Sequence, residues 1–234
     1  MSVLFCDLVG FTAASEMADP EDVRARLVPY HAMLRAQIES FGGTVEKFVG
    51  DAVMAVFGAP VAHEDDAERA VRAGLAILSA IEELNTAAGA GLALSVRLGI
   101  NTGEVVVALG AKPEVGESFV TGDVVNTAAR IQTAAPIGAV AVGESTYLAT
   151  SRVFAYEPLD AVSVKGKSEP VSLWRAGAPR ARLGADVIRA STTPLVGREL
   201  ELLQLRTIFD RVARDATCIW SPSPESPGWE SLGW

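Results

Sequence analysis

Two stretches, Val3-Leu-Phe-Cys-Asp-Leu-Val-Gly-Phe-Thr12 and Glu46-Lys-Phe-Val-Gly-Asp-Ala-Val-Met-Ala55, decide how this chain is read. Each sets an aspartate, Asp7 or Asp51, at the edge of an apolar, β-branched run beside a glycine-containing turn. Such runs read as buried strands, which puts both carboxylates on rigid elements. Residues 45–57 read as two antiparallel strands joined through Gly50-Asp51, so Asp51 falls at a hairpin tip and near Asp7 by strand pairing. Fixed carboxylate oxygens are hard donors that suit Mg2+ or Mn2+. A pair of them supports phosphoryl or nucleotidyl transfer with two metal ions per site. Read in isolation, the same residues could instead cap a turn and fill a hairpin position.

Around this hairpin, helices and strands alternate. Asp19-Pro20 reads as an N-cap and first helical residue, and Val23, Leu27, Tyr30, Leu34, Ile38 and Phe41 recur at helical spacing. Pro29 is expected to kink or divide that helix, and Gly42-Gly43 to end it. A second helix is predicted over 64–85, with Ala67, Val71, Leu75, Leu78, Ile81 and Leu84 as its apolar stripe. Strands follow over 92–100 and 104–110, then a third helix from about Gly122 and strands around Val140, Phe154 and Leu173. The order β-α-β-β-α-β predicts an α+β domain of ferredoxin-like pattern, an antiparallel-rich sheet with helices on one face.

The 234 residues, 49% of them hydrophobic, are enough for one full core and the start of a second domain. The mean hydropathy of +0.26 argues against disorder over most of the chain. Twenty Lys and Arg against 29 Asp and Glu leave a net charge of -9, which repels polyanions and argues against nucleic-acid binding. No apolar run reaches membrane-spanning length and no secretory signal pattern opens the chain, so no membrane partner and a cytoplasmic location are expected. Two cysteines make no disulfide framework, and Cys6 reads as a small buried hydrophobe, thiolate being too soft a ligand for Mg2+. His31 and His63 stand apart from other ligand-type residues and receive no site role.

The residues also resemble a known family, the class III nucleotidyl cyclases. The resemblance covers 3–176 and rests on four motifs in the family's order and spacing. They are Phe5-Cys-Asp-Leu-Val-Gly-Phe-Thr12, Lys47-Phe-Val-Gly-Asp-Ala-Val-Met54, Val120-Thr-Gly-Asp-Val-Val-Asn-Thr-Ala-Ala-Arg130 and Val164-Lys-Gly-Lys-Ser-Glu-Pro170. It implies cyclisation of ATP to 3',5'-cyclic AMP, with Asp7, the carbonyl of Leu8 and Asp51 holding two Mg2+ or Mn2+ ions. Gly10-Phe11-Thr12, between strand and helix, offers backbone N–H groups to phosphate oxygens. Asn126 and Arg130, four apart on one helix face, correspond to the groups that orient the ribose and stabilise charge at the reacting phosphorus. Lys165 resembles the lysine that binds the terminal phosphates, with Lys167 the second choice. Lys47 matches the purine-reading lysine and favours ATP over GTP.

Phe119 departs from the pattern: adenylyl cyclases usually carry an Asp or Thr there, and phenylalanine cannot accept a hydrogen bond from the adenine amino group. Thr121 is an alternative acceptor. In the family two subunits complete two shared sites, so a homodimer is expected. The competing reading is a nucleotide-binding regulatory or dimerisation domain of a signalling ATPase, which Phe119 favours.

The first domain is expected to span 1–176, with an Ala-, Arg-, Gly- and Pro-rich linker over 177–193. Residues 194–215, with Leu200, Leu203, Ile208 and Val212 on one side, resemble the truncated entry segment of an AAA-type ATPase domain. Residues 216–234 read as a disordered tail. Synonymous codons for 224–232 can also spell, one frame over, Gly-Glu-Pro-Gly-Val-Gly-Lys-Ser, a phosphate-binding loop, which suggests a frameshifted remnant.

Overall fold

Alternate residues of strand β1 (Ser2–Leu8) enter two separate cores, and this alternation organises the fold. Leu4, Cys6 and Leu8 face one side of the sheet, whereas Val3 and Phe5 face the other, as the two-residue period of a strand requires. The computed structural model describes residues 1–11, 19–87, 94–108, 120–162 and 170–180, with Leu183, Leu203, Gln204 and Thr207.

Strand β1 is paired on both edges. On one side lies β3 (Ala52–Phe57), antiparallel, with Val53 opposite Cys6; on the other lies β4 (Val96–Thr102), antiparallel, with Arg97 opposite Asp7. β2 (Thr44–Val49) pairs with β3 as the expected hairpin. Helix α1 (Pro20–Ser40) joins β1 to β2, and α2 (Asp66–Ala87) joins β3 to β4. The order β2-β3-β1-β4 with these connections is the ferredoxin-like arrangement.

The separate two-stranded ribbon of β5 (Val106–Val107) and β6 (Val120–Thr121) precedes α3 (Asp123–Ala134). The main sheet reaches seven strands through β7 (Ala139–Gly143), β9 (Val171–Pro179) and β8 (Phe154–Val162). β4 and β7 pair in parallel; the other pairings of this sheet are antiparallel. A short helix, α4 (Glu144–Thr150), follows β7.

The expectation of helices on one face holds for α1 and α2, whose Tyr30, Leu34, Ile38, Val71 and Ile77 share a core with Leu4, Cys6 and Val53. Helix α3 instead covers the opposite face, where Val124 and Ala128 meet Val3, Met54 and Val56. Its approach to β4 is close enough that a Cβ on Gly99 would collide with the backbone of Ala128 and Gln132.

Helix α1 begins as predicted. The Asp19 side chain accepts from the Glu21 N–H, and Pro20 occupies the first turn. It runs undivided through Pro29, which is exposed, so solvent can reach the carbonyl left unpaired there. It stops where Gly42 adopts φ +77°, with Gly42 N–H bonded to the Glu39 carbonyl and Gly43 N–H to that of Ile38, the two bonds of a Schellman end.

The chain falls into two compact units, Met1–Ala190 and Ser191–Trp234. β9 runs to Pro179, three residues past the boundary expected at Ala176. The linker, the ATPase-like segment and the tail fall outside the described residues, apart from Leu183, Leu203, Gln204 and Thr207. Among the described residues no helix is long and apolar enough to cross a membrane.

Candidate active site

Pairing of Cys6 with Val53 puts the end of β1 beside the turn of the β2–β3 hairpin, and the two aspartates that follow from those strands meet there. Gly50 takes φ +62°, a left-handed value that spares the turn the strain of a Cβ, and Asp51 comes next. The Asp7 and Asp51 carboxyl groups lie close enough to act on one another. Burial, then the Asp51 charge and the tendency of the Asp51 carboxylate to accept a proton-mediated bond, push the Asp7 carboxyl up to about 6 from an ordinary 3.8. The Leu8 backbone N–H and the Arg97 guanidinium pull it the other way.

This pair fits a divalent cation by its donor chemistry: two hard oxygen groups, close together and partly desolvated, whose mutual repulsion a cation relieves. Leu8, the last residue of β1, has a buried side chain and offers only its backbone. Among the described residues no cluster of three or more His, Cys, Asp or Glu side chains could hold a metal. An ion here therefore depends on Asp7, Asp51, backbone oxygen and whatever the substrate supplies.

Gly10 sits in the exposed turn after β1 with φ +74°, and Phe11 packs partly against the main core. Lys47 is exposed on β2 opposite Met54. The register shift between Val45 and Lys47 leaves Glu46 as the extra residue of a bulge. Glu46 is buried, and neither carboxylate oxygen has a hydrogen-bond partner among the described residues. Asn126 and Arg130 lie one turn apart on α3, the first exposed and the second half-buried. Among the described residues neither side chain has a hydrogen-bond or ion-pair partner. Thr121 is exposed at the end of β6. Thr12, Phe119, Lys165 and Lys167 lie outside the described residues.

Three neighbours of the carboxylate pair were not assigned to the site from sequence. Arg97 faces Asp7 across the β1–β4 pairing and also donates to the Thr133 carbonyl at 3.4 Å. Only strand register reveals it, which a sequence pattern does not supply. Tyr30 of α1 places its hydroxyl 3.7 Å from the Cys6 sulfur, and burial pushes the thiol up to about 12, so Cys6 is the inert, buried residue expected. His31 places Nε2 3.0 Å from the Gly50 carbonyl and stacks on Phe48 with ring centroids 4.2 Å apart. Burial holds its pKa below the ordinary histidine value, against the opposing effects of the Gly50 carbonyl and the Asp51 charge.

The family profile of the adenylate and guanylate cyclase catalytic domain matches residues 1–175. The chain is 33% identical over 207 residues to adenylate cyclase 1 of Rhizobium meliloti (strain 1021), covering 84% of this chain and 29% of that protein. Among solved structures it is similar to the adenylyl cyclase CyaB from P. aeruginosa, with 33% identity, a TM-score of 0.71, and coverage of 78% of this chain and 96% of that one. It is also similar to the catalytic core of a rhodopsin-guanylyl cyclase with converted specificity, solved with ATPαS. That match has 30% identity, a TM-score of 0.68, and coverage of 76% and 95%. The chain spans between 21% and 37% of the length of the first curated relatives it matches. The fold, the family profile and these relatives agree: the chain belongs to the adenylate and guanylate cyclase catalytic domain family.

Proposed function

We propose that this domain converts ATP to 3',5'-cyclic AMP and pyrophosphate, in a two-metal reaction at sites shared between two copies of the chain. The observation that carries the reading is the carboxylate pair: the β1–β3 register sets Asp7 beside the turn that carries Asp51, and burial together with the Asp51 charge raises the Asp7 pKa. Asp7, Asp51 and the Leu8 carbonyl are the groups that would hold Mg2+ or Mn2+. When bound, such ions neutralise triphosphate charge and acidify the ribose 3'-hydroxyl.

In the reaction the O3'–Pα bond forms as the bond from Pα to the pyrophosphate oxygen breaks, and the hydroxyl proton leaves to solvent. Charge builds on the α-phosphate oxygens, and a guanidinium on a rigid helix stabilises it without reorganising. Arg130 is the residue of that type, with Asn126 one turn before it to orient the ribose. Gly10, Phe11 and Thr12 supply backbone donors to phosphate, and Lys165 balances the terminal phosphates. Lys47 reads the purine, and its ammonium donor matches adenine N1, where guanine presents an N–H. Phe119 offers the base a stacking surface but no acceptor, so selectivity for ATP over GTP is modest.

Both halves of the machinery are present in one sequence, so a homodimer completes two equivalent sites. The test is incubation of purified protein with ATP or GTP and Mn2+ or Mg2+, with the product identified by mass. Cyclic AMP as the main product is expected. Tight nucleotide binding with no cyclic product at any protein concentration would make the domain a regulatory binding module instead.

A further inference from the structure

We infer that His31 is a positioning residue for Asp51, holding the Gly50–Asp51 peptide in the orientation that cation binding needs; this rests on the two-metal reading above. The Gly50 carbonyl belongs to the peptide whose N–H belongs to Asp51, so a bond to that oxygen sets the plane from which the Asp51 side chain departs. His31 makes the bond at 3.0 Å from α1, on a different element from the hairpin. A carbonyl can only accept, so Nε2 carries the proton.

The imidazole is itself held in place. Its ring lies on Phe48 at 4.2 Å between centroids and 27° between planes, and Phe48 is three residues before Asp51 on the same hairpin. One helical turn on, the Arg35 guanidinium sits 5.5 Å from the centre of the same phenyl ring. Helix α1 thus grips the hairpin at two points, of which only the His31 bond reaches the turn. A glycine in the left-handed region is the most permissive point of a turn, and an outside bond is the means of restricting it. Groups that orient a metal ligand without touching the metal act in this way, and their loss weakens metal affinity while the fold survives.

The test is Mn2+ titration followed by electron paramagnetic resonance on wild type, His31→Phe, His31→Gln and Asp51→Ala. His31→Phe keeps a ring on Phe48 but removes the donor, and should weaken Mn2+ binding about tenfold with an unchanged thermal midpoint. His31→Gln supplies an amide donor of similar reach and should recover most of that loss. In wild type, 15N NMR of the chain's two histidines should show one with its proton on Nε2. Equal Mn2+ affinity in His31→Phe and wild type overturns the inference, as does an unprotonated His31 Nε2. Should His31→Phe fail to fold, a His31→Gln protein whose Mn2+ affinity falls as far as that of His31→Ala, or the NMR tautomer, decides against it. If Asp51→Ala binds Mn2+ as wild type does, the two-carboxylate site falls and His31 falls with it. If only Asp51→Ala loses the ion, the site stands without the positioning role.

Discussion

The hairpin end of the sheet and helix α3 carry opposite deficits of charge. At the hairpin, two carboxylates crowd together, and Arg97 and the Leu8 N–H compensate only part of the cost. On α3, Arg130 and Asn126 project from the helix with no side-chain partner among the described residues. The first region wants cations and the second an anion. A metal-bound nucleotide carries both charges, and at the hairpin Arg97 offsets only part of the carboxylate pair. The two halves are placed by different contacts of the same strands: Asp7 and Asp51 by β1–β3 register, Asn126 and Arg130 by the seating of Val124 and Ala128 on Val3, Met54 and Val56 at the far face of the sheet. A site divided this way can be completed by a second copy of the chain.

The largest expected effect comes from removing either half. Asp7→Ala or Asp51→Ala should lower cyclic product at least about a hundredfold, as should chelation of divalent ions with EDTA. Arg130→Ala should cost a similar factor through lost stabilisation of phosphate charge, about a hundredfold or more. All three proteins should keep their thermal midpoints to within a few degrees, because none of these side chains belongs to the apolar cores. More than a tenth of wild-type activity in either aspartate variant would remove the carboxylates from the reaction.

A smaller change is expected at the base. Phe119→Asp restores an acceptor for the adenine amino group and should raise the ATP-to-GTP ratio of kcat/KM by about tenfold or less, one hydrogen bond contributing roughly 1 kcal/mol. An unchanged ratio in a folded protein would show that position 119 does not face the purine.

The smallest effect is on stability in the metal-free protein. With the Asp7 carboxyl raised from 3.8 to about 6, the folded state favours the protonated form. The stability this contributes is full below 3.8 and is lost as pH rises through about 6. The thermal midpoint should therefore fall between about pH 4 and pH 6.5 without divalent ions, fall less in Asp7→Asn, and recover on adding Mn2+. A midpoint with the same pH dependence in wild type and Asp7→Asn would mean that the pair does not crowd as described.

Much of the fold is legible in local patterns. The hairpin around Gly50-Asp51, the Asp19 cap, the glycine stop of α1 and the β-α-β-β-α-β order follow from turn chemistry and periodicity. The stripe of α2 is legible only in part. Its buried line runs through Ala70, Ala73, Gly74, Ile77 and Ile81, while Ala67, Leu75, Leu78 and Leu84 are only half-buried. Large residues dominate a hydrophobic pattern, but small ones let a helix approach a sheet. The predicted strand over 104–110 shrinks to Val106–Val107 within its described part. Placement of α3 on the opposite face depends on tertiary packing against Gly99 and has no local signature. His31 and Arg97 escape for the same reason: one acts through a backbone carbonyl 19 residues away, the other through cross-strand register.

The central claim, that two halves carried by one chain complete each other between copies, is tested most directly by mixing the inactive Asp51→Ala and Arg130→Ala proteins. A mixed dimer contains one site with neither substitution. With random exchange at equal concentrations, activity should recover to about a quarter of the wild-type rate per chain. No recovery, with exchange of subunits demonstrated, would contradict it.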